Sequence, residues 1–201
     1  GIRGFEGEIG TIMPRYQNRH YDWRFGETTD DTEQSIAVAK AIVEEGMVRH
    51  TKVGEKLMAC KKSNRPTLQL GKFQQLGDIS RVAYEGDGCG AAMRVVPVGV
   101  IFSSDRIQEI VSAAFEASIP THGGQLSICA AAAMAGEVSA AIDGKQSDEI
   151  FEIAVSASRE AKKYRKSSNN IEFHEALIHM YEDLVRQEEI KVSYLNEKYF
   201  P

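Results

Sequence analysis

The run from Gln125 to Ile142 constrains the fold more than any other stretch, because Ala130, Ala131, Ala132, Ala133, Ala135, Ala140 and Ala141 give it little bulk on any side. A helix that small all round is approached closely from every direction, which places it at the centre of a helical bundle. Its most apolar part, Ile128 to Ile142, reads as too short and too alanine-rich for a bilayer span. Other segments carry helical periodicity around it. Ile36, Ala39, Ile42 and Val43 precede a stop at Gly46 and predict a helix of about three to four turns. Thr51 to Cys60 reads as a short helix capped by Thr51, with Val53, Leu57 and Met58 as its apolar face. Ile107, Ile110, Val111, Ala114 and Phe115 give an amphipathic helix that stops before Pro120. Ser147 is placed to cap a further helix holding Ile150, Phe151, Ile153, Ala154 and Ala157, with Lys162, Lys163, Arg165 and Lys166 at a solvated C-terminal end. Asn170 starts a last helix to about Gln187, whose Phe173, Leu177, Met180, Tyr181 and Leu184 serve packing. The fold class is therefore all-α, a single domain over residues 1–201, with no internal repeat.

Between these helices lie loops. Glycines at 1, 4, 7 and 10, followed by Pro14, make the N-terminal stretch a loop, and Tyr16, Tyr21 and Trp23 read either as core-edge cover or as a stacking wall for a base. Lys61 to Pro66 is a polar connection. The net charge of −5 argues against nucleic-acid binding by general basic attraction, leaves room for a local positive pocket, and favours a small soluble partner. Cys60, Cys89 and Cys129 are odd in number and widely spaced, so they form neither a disulfide framework nor a paired zinc motif, and a reducing cytoplasm is expected. No targeting segment or membrane span is expected, and the oligomeric state is not legible.

Two loop-to-helix junctions carry candidate chemistry. Glu27 to Gln34 reads Glu-Thr-Thr-Asp-Asp-Thr-Glu-Gln and packs paired carboxylates among hydroxyls at a helix N-terminus. Asp30 with Glu33 three residues on resembles a capping box, and on that reading the acids only cap the helix. Thr29, Asp30 and Asp31 equally supply a hydroxyl and two carboxylates to a hard cation such as Mg²⁺. Gly86-Asp87-Gly88-Cys89-Gly90 then leads into Ala-Ala-Met-Arg. It is either a tight turn or a loop whose amides approach a phosphate or diphosphate at a helix start. No histidine is placed by the sequence to activate Cys89, which is not read as a nucleophile. His122, in Thr121-His122-Gly123-Gly124, is open between capping the alanine-rich helix and meeting substrate.

Thr29-Asp30-Asp31-Thr32, the segment Gly88 to Pro97 and Thr121-His122 occur in the order of the signature motifs of the ADP-ribosylglycohydrolases, which include the dinitrogenase-reductase-activating glycohydrolase, and the chain resembles that family from Gly1 to the helix after Ser147. The resemblance implies an all-α fold and a two-metal Mg²⁺ or Mn²⁺ centre that hydrolyses the N- or O-glycosidic bond of an ADP-ribosylated protein or small ADP-ribose conjugate. It makes Thr29, Asp30 and Asp31 metal ligands, gives Asp30 and Asp31 the activation of water, and assigns Gly88, Cys89, Gly90 and His122 to substrate binding. Cys89 stands where the family frequently has asparagine, so that side chain's contacts do not carry over. An upstream glycine-rich helix with an acidic residue and a downstream Asp-x-Asp-Thr motif are not found. The chain, starting at Gly1, is therefore expected to be incomplete at both ends and inactive alone. The competing expectations are a protein that binds ADP-ribose without turnover, and an unrelated helical domain whose acids only cap helices.

Overall fold

Small side chains on one helix let its neighbours close on it from several sides. The computed structural model describes residues 28–62, 86, 88–165 and 172–187, with Tyr194 and Lys198. In it α1 spans Asp30–Glu45, α2 His50–Met58, α3 Val96–Ile101, α4 Ile107–Ser118, α5 Gln125–Ile142, α6 Ser147–Ala161 and α7 Phe173–Leu184. Short 3-10 turns lie at Ala92–Arg94 and Lys162–Tyr164, and no strand occurs among the described residues. The expectations for the N-terminal loop, Tyr16, Tyr21, Trp23, Pro66 and the helix start at Asn170 fall outside the described residues.

The alanine-rich helix α5 is the centre, as its composition predicts. It packs against α3, α4, α6 and the first 3-10 turn, and Ile128, Ala131, Ala132, Ala135 and Ala140 are wholly excluded from solvent. At 18 residues it is longer than its most apolar run and, by length and composition, apolar enough to cross a bilayer. That corrects the expectation that it is too short. Its apolarity has a packing cause here, since 61% of it is buried inside the fold. Phe115 of α4 stacks on Tyr164 with centroids 4.2 Å apart, and Phe151 of α6 stacks on Tyr181 of α7 at 4.1 Å.

The structure moves three local assignments. On α1 the buried face is Gln34, Ala37, Val38, Ala41 and Ile42, whereas Ile36 is 49% and Val43 83% exposed. Of the expected stripe only Ile42 lies on the buried face, and Val38, Ala37 and Ala41 fill the rest of it. α2 begins at His50 rather than behind a Thr51 cap. The Glu116 carboxylate of α4 accepts the His50 backbone N–H at 2.8 Å and meets His50 Nδ1 at 2.6 Å, which supplies the partner a capping hydroxyl would have given. For α6 the cap is Gln146, not Ser147, and it forms a reciprocal capping box with Glu149.

α3 crosses α5 at a point where only glycine fits. A Cβ added at Gly99 would lie 2.5 Å from the Ala135 carbonyl oxygen and 2.7 Å from Val138 Cβ, and both atoms belong to a packed helix that cannot yield locally. Gly99→Ala is therefore expected to destabilise the chain by roughly 1–3 kcal/mol, the usual cost of overpacking. Urea unfolding that gave the variant wild-type stability would show that the two helices are not in contact there.

Candidate active site

A lone arginine set among apolar residues, Ala91-Ala92-Met93-Arg94-Val95-Val96, has either to escape to water or to find partners inside. Arg94 finds them inside. The 3-10 turn Ala92–Arg94 carries its side chain into the core, where it is 0% exposed. Its Nε and Nη2 donate to the Ala117 carbonyl at 3.2 and 3.0 Å, and Nη2 also donates to the Ser118 carbonyl at 3.0 Å. These are the last residues of α4, the end of a helix that attracts positive charge. Nη1 donates to Gln34 Oε1 of α1 at 3.1 Å, and Nη2 to Thr121 Oγ1 at 2.7 Å. Burial lowers the guanidinium to about 10, which leaves it charged at neutral pH.

Arg94 thus fastens together the three stretches singled out in the sequence: the acidic turn of α1 through Gln34, the glycine loop from which it extends, and the Thr121-His122 junction. Neither it nor Gln34 was assigned a role from the sequence, and Thr121 entered only as part of a motif. The available signal was the isolated charge within an apolar run.

At the first of these stretches Thr29 is the N-cap of α1, with Asp30, Asp31 and Glu33 in the first turn. The capping box expected between Asp30 and Glu33 does not form, because no side chain caps this end. The Glu33 carboxylate instead accepts the backbone N–H groups of Lys61 at 3.0 Å and Lys62 at 2.8 Å, tying α1 to the segment after α2. Thr29 Oγ1 donates to Asp31 Oδ2 at 2.5 Å, which leaves the hydroxyl's lone pairs available. Burial, and then the charge of Asp31, raise the Asp30 carboxyl above its ordinary value. Two crowded carboxylates and a hydroxyl are a donor set that suits a hard divalent cation, whose charge would relieve that repulsion. Among the described residues no third Asp, Glu, His or Cys completes a metal cluster with them. Asp31 also lines an open groove of about 380 Å³ between α1 and α3, together with Ser35, Ile36, Met93, Val96 and Pro97.

The glycine loop packs on the start of α5. Gly124 donates its N–H to the Gly86 carbonyl at 3.1 Å, and Ser127 Oγ donates to the Gly88 carbonyl at 2.7 Å. His122 seats its ring on this loop. A Cβ at Gly90 would lie 2.5 Å from its Cε1, and one at Gly88 would lie 3.3 Å from its Nε2. Close approach therefore does require glycine, and the group that approaches is the histidine of this chain. The helix expected to open at Ala91 is only the three-residue 3-10 turn, followed by the six-residue α3, so no long helix dipole stands behind the loop. Cys89, between the two glycines, is exposed. Burial, and then the charge of Arg94, lower His122 to about 4.

A family model of the ADP-ribosylglycohydrolases matches residues 2–197, and the chain belongs to that family. The match continues through α7, beyond the helix after Ser147 where the motif resemblance fades. The chain is 28% identical over 169 residues to an uncharacterized protein, YegU, of Escherichia coli (strain K12), covering 76% of this chain and 49% of that protein. It is also 28% identical over 160 residues to an uncharacterized protein of Archaeoglobus fulgidus, covering 75% and 50%. The chain spans about half the length of the curated relatives it matches.

The histidine leaves a mark on stability. Its folded value, about 4, lies below the ordinary 6.5, so between these values the unfolded chain binds a proton that the folded ring refuses. Stability then rises with pH across that window, and the contribution is lost as pH falls from about 6.5 towards 4. With a discount for partial exposure, the loss at pH 5 is roughly 1–2 kcal/mol. Urea unfolding at pH 7 and pH 5 should show a smaller drop for His122→Gln than for the wild type, and parallel drops would contradict the buried neutral ring.

Proposed function

We propose that this chain supplies part of the metal and substrate centre of a Mg²⁺- or Mn²⁺-dependent glycohydrolase that releases ADP-ribose from an ADP-ribosylated protein or a small ADP-ribosyl conjugate. The observation that carries the reading is the Arg94 tie, which joins the acidic turn, the glycine loop and the His122 junction in one rigid unit. Thr29, Asp30 and Asp31 are the groups that would hold the cation, and a bound Mg²⁺ or Mn²⁺ would supply positive charge that polarises ribose hydroxyls and acidifies water. The residues do the rest. Asp30 and Asp31 orient that water and accept its proton as positive charge develops at the ribose C1. The loop at Gly88, Cys89 and Gly90, with the neutral His122 above it, holds the ribose or diphosphate of the substrate. Such fixed donors and dipoles stabilise developing charge without reorganising, which is where most of the rate enhancement arises. A cytoplasmic setting, free of nucleic acid and membrane, belongs to the same proposal and rests on the net charge of −5 and the three widely spaced cysteines.

The test is release of free ADP-ribose by the gene product that contains this chain, measured over a panel of linkages with Mg²⁺, Mn²⁺ and chelator. Release that requires a divalent ion is expected. Asp31→Asn should weaken Mn²⁺ binding by about tenfold or more, since even outer-sphere partners of a metal site are worth that much. The melting temperature should stay near wild type, because the amide oxygen still accepts from Thr29. Unchanged Mn²⁺ affinity would end the metal assignment. Binding of ADP-ribose with no release under any metal condition would end the catalytic one.

A further inference from the structure

We propose that Thr121 and, behind it, Arg94 are positioning residues that hold His122 as a neutral Nε2–H donor over the glycine loop, aimed at an acceptor oxygen of the ligand that lies there. The identity of that ligand rests on the glycohydrolase reading; the protonation pattern of the ring does not.

The direction of each hydrogen bond follows from what each group is able to give. A guanidinium has only donors, so in the 2.7 Å contact between Arg94 Nη2 and Thr121 Oγ1 the threonine oxygen accepts. Thr121 is 1% exposed, so water does not take its hydroxyl proton. Among the described residues the other side-chain contact of that hydroxyl is His122 Nδ1 at 2.7 Å. If Nδ1 carried the ring proton, Oγ1 would accept twice and its own proton would be buried without an acceptor, forfeiting a hydrogen bond. Thr121 therefore donates, Nδ1 accepts, and the single proton of the neutral ring stays on Nε2.

Nε2 faces the loop. A Cβ added at Gly88 would lie 3.3 Å from it and one at Gly90 would lie 2.9 Å away, so the two glycines keep side chains off that edge of the ring. Among the described residues Nε2 meets no acceptor, which makes it a donor held ready. A fixed charge thus reaches the ligand indirectly: Arg94 sets the rotor of Thr121, Thr121 sets the tautomer of His122, and His122 presents one N–H at a fixed place. Its ligand atom is an oxygen that accepts a neutral hydrogen bond, as the oxygens of a ribose or a diphosphate do.

The experiment uses the whole chain labelled with ¹⁵N-histidine, its five histidines assigned with the help of His122→Gln. At pH 7 and without ligand, His122 of the wild type is expected to show a bare, accepting Nδ1 and a protonated Nε2. Thr121→Ser should keep that pattern, while Thr121→Val, which preserves shape and removes the hydroxyl, should shift both nitrogens toward the averaged values of a ring exchanging between tautomers. ADP-ribose affinity should fall about fivefold in Thr121→Val, the worth of one neutral hydrogen bond, and recover in Thr121→Ser. A protonated Nδ1 in the wild type overturns the inference without any variant. So does a Thr121→Val ring with wild-type shifts, or an unchanged affinity. The affinities are read on the gene product that contains this chain; a wild type of that product that binds no ADP-ribose counts against the glycohydrolase reading, and the nitrogen signatures still decide the protonation pattern.

Discussion

The rest of the structure depends on one buried charge that has no carboxylate partner among the described residues. Arg94 is wholly enclosed, and removing a cation from water costs several kcal/mol even after the surroundings relax. Five hydrogen bonds to the Ala117 and Ser118 carbonyls, Gln34 and Thr121 offset that cost. None of the acceptors is charged. The helix end at Ala117–Ser118 provides partial negative charge with a fixed direction, and Gln34 and Thr121 provide oxygens from either side. Separating α1 or the Thr121 junction from the 3-10 turn would strand a guanidinium N–H in the core. The three segments are held in register by that penalty.

The centre of the bundle makes such an arrangement reachable. Because α5 is built of alanine, glycine and serine, α3 and α6 come close enough that Gly99 and Gly136 admit almost nothing larger, with a Cβ at Gly136 lying 3.3 Å from Ala157 Cβ and from Ile153 Cγ2. Close approach draws in the segments at either end of α5. At the N-terminal end, Gly124 and Ser127 bind the loop carbonyls of Gly86 and Gly88, which presses the loop onto His122. Packing among small residues therefore fixes the height of an imidazole over a glycine loop, and desolvation of that ring keeps it neutral.

How much of this was legible in the sequence depends on the range of the interaction. The central helix was legible, since Ala130 to Ala141 carries its packing density in its own composition, and so was the Gly46 stop, where φ of 70° lets the amide cap Ile42 at 2.8 Å. Periodicity found Ile42 on the buried face of α1 but also drew in Ile36 and Val43, because apolar residues lie on both sides of this helix and the sequence does not say which side meets the bundle. The cap at Thr51 failed because local rules see only local oxygens, and Glu116 reaches His50 from a different helix; at Ser147 the cap shifted by one residue, to the local box of Gln146 and Glu149. For the site, the positions of Asp31, Gly88, Gly90 and His122 were readable as motifs. What joins them was not, because Arg94 meets Gln34 and Thr121 across 60 and 27 residues of chain, and no spacing rule encodes such contacts.

The acidic turn shows the same division of labour between structure and chemistry. Three acids share one helix start, and on local grounds any of them serves as a cap. The fold uses Glu33 for this kind of work, giving it the unpaired amides of Lys61 and Lys62. With those amides satisfied, Asp30 and Asp31 remain as neighbours, and Asp30 is raised by burial and by the charge of Asp31. Asp31 accepts only the Thr29 hydroxyl among the described residues, and a helix start is the place where the dipole offsets part of the cost of crowding two carboxylates. A pair of acids that does not cap α1, while a third acid does the fastening, is the observation on which the proposed divalent-cation site rests.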